Sequence, residues 1–79
     1  MKVVIYDLDG VSIYAGLTPA IPKIKELYGE KLAAEACTRL SRGRLGMVYR
    51  RYGGPRIELV SDTDAERIRA KEQGLMLRT

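Results

Sequence analysis

Lys2-Val-Val-Ile-Tyr-Asp-Leu-Asp-Gly-Val-Ser-Ile-Tyr14 is two runs of β-branched and aromatic residues on either side of Asp9-Gly10. Asp-Gly between such runs is the strongest short-range hairpin signal, because a type I′ turn needs positive φ at both central positions. With Asp9-Gly10 as a two-residue loop, Leu8 faces Val11, Asp7 faces Ser12, Tyr6 faces Ile13 and Ile5 faces Tyr14. Val4, Tyr6, Leu8, Val11 and Ile13 then share one face, which is expected to be the core face. Asp7, Ser12, Tyr14 and Ile5 lie on the other.

Working outward, Thr18-Pro19 reads as an N-cap followed by proline at the first helical position. Pro22 then falls in the first turn, where a missing N–H is tolerated. Ile21, Ile24, Leu27 and Tyr28 recur at helical spacing, and Gly29 is a natural stop. A second helix is expected from residue 30 or 31 to 41 or 42, with Leu32, Ala33, Ala36, Cys37 and Leu40 as its apolar stripe. Gly43 ends it.

Residues 45–52 alternate weakly, Gly53-Gly54-Pro55 turns the chain, and residues 56–60 read as a strand. In a two-residue-loop hairpin Arg51 opposes Arg56, a like-charge pair that costs stability unless an anion lies between. Thr63-Asp64-Ala65-Glu66 is a capping box opening a last helix with thin apolar content. The fold class is therefore α+β: an N-terminal β-hairpin, a helix-turn-helix, a second β-hairpin and a C-terminal helix. It forms one small domain, with residues 1–60 as core and 61–79 as a peripheral helix.

Seventy-nine residues without Phe or Trp make a lean core, and self-association as a homodimer is expected. There is no histidine and one cysteine, Cys37, which removes the usual zinc sites, any internal disulfide and any His-based triad. Cys37 reads as a small core hydrophobe. No metal and no cofactor is expected. The absence of a leader-like or long apolar run gives a cytoplasmic, non-membrane expectation.

Charge is the strongest functional signal. Residues 37–57 hold six arginines (Arg39, Arg42, Arg44, Arg50, Arg51 and Arg56) and no acidic residue. The window carries +6 while the whole chain carries +4, so the remainder is net negative. A local single-sign patch is the footprint of a polyanion partner. Arginine's planar fork suits phosphates and guanine edges.

Two resemblances bear on function. Val3-Val-Ile-Tyr-Asp7-Leu-Asp9-Gly10 resembles the first motif of the haloacid dehalogenase superfamily. That resemblance implies Asp7 as nucleophile and Asp9 as general acid/base beside Mg²⁺. The family needs a parallel sheet and a longer chain, so a phosphatase fragment is the remote alternative and no enzyme is expected.

The order Tyr6-Asp-Leu-Asp-Gly10, Thr18, Leu27-Tyr-Gly29, Ala36 to Leu40, Arg42-Gly43 and Gly46-Met-Val-Tyr49-Arg50 resembles the intron-encoded nuclease repeat and small phage proteins of the same plan. The likeness covers residues 3–52 and departs at Pro22. It implies a DNA-binding module whose second helix enters the major groove.

The residues of that helix apt for bases or phosphates are Lys31, Thr38, Arg39, Ser41 and Arg42, with Arg44, Arg50, Arg51 and Arg56 on phosphates. Glu35 is a blemish on the same surface. Duplex DNA is the expected partner, and RNA is open, with Tyr49 and Tyr52 as stacking candidates. The alternative is a phage-type inhibitor that binds a host nucleic-acid-handling or immune complex in the manner of an anti-CRISPR protein, acting in the host cytoplasm.

Overall fold

A computed structural model describes residues 1–50 and 53–77, with side chains described as far as Glu72. The elements are β1 (Lys2–Asp7), β2 (Gly10–Tyr14), α1 (Leu17–Ser41), β3 (Val48–Arg50), β4 (Arg56–Val60) and α2 (Asp62–Leu77). The strands form one antiparallel sheet in the order β2-β1-β4-β3. The parallel sheet implied by the haloacid dehalogenase likeness is not this architecture.

The first hairpin forms, with a different register. Asp7 pairs with Gly10, Ile5 with Ser12 and Val3 with Tyr14, so the loop is Leu8-Asp9 and the ladder is shifted by two residues from the expectation. The side chain of Asp7 is the cause. Its Oδ1 accepts the backbone N–H of Asp9 at 2.7 Å, an Asx turn that reverses the chain early. Gly10 then opens β2 at φ 124, a backbone region that L side chains avoid.

An even shift keeps the faces, yet the assignment of the core face needs correcting. The main core lies under α1 and contains Val3, Ile5, Tyr49, Ile57 and Leu59 from the sheet. The expected face is the second one. There Val4 and Val60 pack with Ala65 of α2, flanked by Tyr6, Val11, Ile13 and Ile68. Leu8, at the hairpin tip, is fully exposed. Residues 3–5 are apolar at both parities because both faces of the strand are covered, so alternation alone does not rank them.

α1 holds the two expected helices, broken at Gly29 with φ 81 and ψ 165. That conformation is essentially open only to glycine. Ala20 and Ile24 before the break, and Ala33, Ala36 and Leu40 after it, are buried in the same core. The broken rod thus carries the chain across one sheet face from edge strand β2 to edge strand β3. Its start is two residues earlier than expected: Gly16 is the N-cap, without a side-chain cap bond, so Thr18 does not cap. Pro22 accordingly lies inside the helix rather than in its first turn.

The chain leaves α1 through Gly43, where an added Cβ would meet Met47 Sδ at 2.2 Å and Leu59 Cδ1 at 2.8 Å. A turn follows, closed by Met47 N–H donating to the Arg44 carbonyl at 3.0 Å. Gly46 at φ 91 then donates to the Leu59 carbonyl while Leu59 donates to Met47. Two residues opposing one is a glycine β-bulge, a device that twists and blunts an edge strand.

β3 is accordingly shorter than the expected run, and its register sets Arg50, not Arg51, opposite Arg56. Arg51 and Tyr52 lie outside the described residues. α2 begins at Asp62, one residue before the expected cap. Ser61 Oγ accepts the N–H of Asp64 at 3.1 Å and caps in place of Thr63.

Among the described residues no helix is long and apolar enough to cross a membrane. Gly29→Ala is expected to destabilise the fold by about 1–3 kcal/mol, the cost of forcing that backbone region on a Cβ-bearing residue. Urea unfolding checks it; an unchanged midpoint would show that the break is not imposed by Gly29.

Candidate functional site

The second half of α1 presents the predicted recognition surface. Ala33, Ala36 and Leu40 face the sheet and are buried. Lys31, Glu35, Thr38 and Arg42 follow at four, three and four on the opposite ridge, with Arg39 beside them. Lys31, Thr38, Arg39, Ser41, Arg42 and Arg44 are all exposed. Among the described residues no carboxylate forms an ion pair with Lys31, Arg42 or Arg44. Arg39 is engaged by Glu35 at 3.4 Å, one helical turn away. Thr38 Oγ1 donates to the Ala34 carbonyl at 2.9 Å and Ser41 Oγ to the Thr38 carbonyl at 2.8 Å. Each hydroxyl keeps its acceptor capacity for an outside donor.

The hairpin arginines lie elsewhere. Tyr49 and Ile57 face α1, so the alternating residues Arg50 and Arg56 project from the other sheet face. The Arg56 guanidinium stacks 4.3 Å above the ring of Tyr6, which belongs to the α2 side. Its Nε pairs with Glu58 Oε2 at 3.0 Å. Arg50 donates through Nη2 to the Gly53 carbonyl at 3.2 Å. Among the described arginines, Arg39 and Arg42 lie on the α1 side and Arg50 and Arg56 on the other face of the sheet, so these two pairs do not converge on one ligand face. Tyr49, at 7% exposure, is a core residue and cannot stack a base.

A groove of about 630 Å³ opens at the sheet end that carries both hairpin turns. Asp7, Leu8 and Asp9 form one side, Arg50 and the Gly53-Gly54-Pro55 turn the other, with Tyr6, Leu27 and Arg56 between. Its frame is rigid. Tyr28 donates to the Pro55 carbonyl at 2.5 Å and meets Tyr49 edge to face at 6.0 Å. Beneath the first turn Asp7, only 5% exposed, holds Lys23 Nζ at 3.3 Å. Among the described residues, no group of three or more potential metal-ligating side chains forms.

Sequence reading missed Lys23, Tyr6, Leu27 and Pro55 here. The parity of Asp7 with Val3 and Ile5 was the available signal for its inward aspect.

Titration follows these contacts. Lys23 is held above the usual lysine value by its hydrogen bond to Asp7, against a smaller opposing burial. Tyr28 is raised by burial, and Tyr6 by burial and then by Glu58. Burial likewise raises the Cys37 thiol, which makes it a poor nucleophile.

Comparison of the chain with protein-family models, with curated proteins and with solved structures gives no match.

A group whose folded pKa is raised contributes stability fully present below its unfolded value and lost as pH rises through the folded one. Lys23, Tyr6 and Tyr28 all act in this sense, so stability should decline above about pH 10. Lys23→Met should flatten that decline in urea titrations across the alkaline range; an unaltered pH profile would contradict the assignment.

Proposed function

We propose that this chain is a small nucleic-acid-binding module, with duplex DNA as ligand. Its contact surface is the outer face of the second half of α1 and the exit that follows. The observation that carries the reading is the exposed helical ridge of Lys31, Thr38 and Arg42, with Arg39 beside it and Arg44 exposed at the exit, while the same helix buries Ala33, Ala36 and Leu40. A convex helix with cations and small hydroxyls outward suits a major groove.

The likeness to the intron-encoded nuclease repeat belongs to the same proposal. So does the break at Gly29, which separates a supporting helix from a reading helix. Arg50 and Arg56 are not part of this contact, since they project from the opposite sheet face.

Four cations on the face, Lys31, Arg39, Arg42 and Arg44, give an expected slope of log K against log salt of about −3 to −4. Fluorescence anisotropy on a labelled duplex at several salt concentrations measures it, and a slope near zero would sink the reading. Arg42→Ala should reduce the slope by about 0.9, whereas Arg50→Ala should leave it unchanged. Glu35→Gln should tighten binding by removing the carboxylate on the ridge.

One observation favours a protein partner instead. Leu45, beside Arg44, is 60% exposed, an apolar side chain that a protein partner would cover and a phosphate backbone would not. This second reading is the phage-type inhibitor, a cationic and apolar surface that meets an acidic protein. Leu45→Asp separates the two: it should abolish capture of a protein target while weakening duplex binding only slightly.

A further inference from the structure

We propose that the groove between the two hairpin turns is a binding site for a nucleoside monophosphate, phosphate toward Arg50 and Arg56 and base toward Asp9. This site uses residues outside the duplex-binding surface, so the two readings stand or fall separately.

The argument begins with charge. Arg50 and Arg56 are direct cross-strand partners, project from the same face and line the same groove. Like charges so placed repel, and an anion between them removes the repulsion. Arg56 is oriented in advance: Tyr6 supports the flat of its guanidinium at 4.3 Å, and Glu58 engages its Nε at 3.0 Å. The Arg56 side chain remains 42% exposed, so a ligand in the groove can reach it. Among the described residues Arg50 has no carboxylate partner; its one bond is Nη2 to the Gly53 carbonyl. Two forks facing one space suit a phosphate, which can accept from both at once.

The rest of the groove suits a flat body with a donor edge. Leu8, Leu27, Tyr6 and Pro55 provide apolar and aromatic wall. Gly53 and Gly54 carry no side chains, so a ligand can approach the backbone of that turn.

On the first turn the two aspartates differ in use. Asp7 is spent on the Asp9 N–H and on Lys23. Asp9 is exposed, and its carboxylate has no ion-pair partner among the described residues. A carboxylate accepts paired N–H donors, so a base that presents two adjacent donors, as guanine does, fits it better than one presenting a single amine. The volume of about 630 Å³ lies within the range of about 300–1,000 Å³ usual for small-molecule sites.

The test is titration of the full chain by calorimetry and by amide NMR with guanosine 5′-monophosphate, adenosine 5′-monophosphate, guanosine and inorganic phosphate. Guanosine monophosphate should bind tightest, with the largest shifts, among the described residues, at 6–9, 27, 50 and 53–56. Arg50→Ala should weaken it about tenfold, the loss of one charge-assisted contact. Asp9→Asn should remove the preference for guanine over adenine while leaving phosphate binding intact.

Both positions are exposed, and a thermal melt of each variant confirms folding. Competition with a 5′-phosphorylated single strand separates the sources. Displacement of the mononucleotide identifies a strand end as the natural ligand, and its absence identifies the free nucleotide. Binding no tighter than that of inorganic phosphate, or shifts confined to residues 31–44, would overturn the assignment.

Discussion

The pairing of β1 with β4 holds the molecule together. Ile5 lies opposite Ile57, both fully buried, within a ladder that runs from Lys2–Val60 to Tyr6–Arg56. Each hairpin alone is a two-stranded ribbon, which is marginal in water. Joined through their inner strands they make a four-stranded sheet with one face for α1 and one for α2. The contact spans more than fifty residues of chain, so its loop-closure cost falls on folding. The apolar area buried on both faces offsets that cost.

The break in α1 follows from this frame. The chain must pass from the outer edge of one hairpin to the outer edge of the other and keep apolar residues on the sheet along the way. An unbroken helix of 25 residues is a straight rod of roughly 37 Å, longer than a four-stranded sheet is wide. Gly29 folds the rod back onto the sheet, and Ile24 and Leu40 can then share one core. The same break lets Tyr28 reach the second turn and brace it through the Pro55 carbonyl.

The frame also divides the charge. Alternation along β3 and β4 turns Tyr49 and Ile57 inward toward α1 and sends Arg50 and Arg56 to the other face. The helix arginines meanwhile point away from the sheet on the α1 side. The described arginines of one contiguous window thus divide between surfaces with different surroundings, a convex helical ridge and a concave groove. The first suits an extended polyanion and the second a small one. The acidic half of the groove comes from the other end of the chain, through Asp7 and Asp9.

What the sequence determined by itself is local. The β-branched runs around residues 7–10, the glycine at 29, the strand at 56–60 and the arginine window are all visible there, because each is set by neighbours within a few residues. Even locally, side-chain competition moved the details: Asp7 moved the first turn one residue earlier, Ser61 displaced Thr63 as cap, and the Gly46 bulge delayed the start of β3.

Tertiary structure alone decided the strand order, the ranking of two apolar faces, the ion pair of Lys23 with Asp7 and the groove between turns more than forty residues apart. Residues 3–5 are apolar on both parities, so only the packing of α1 on one face and α2 on the other could say which face carries the larger core. The separation of the arginines has the same origin, since side-chain direction is fixed by strand register and register is fixed by the sheet.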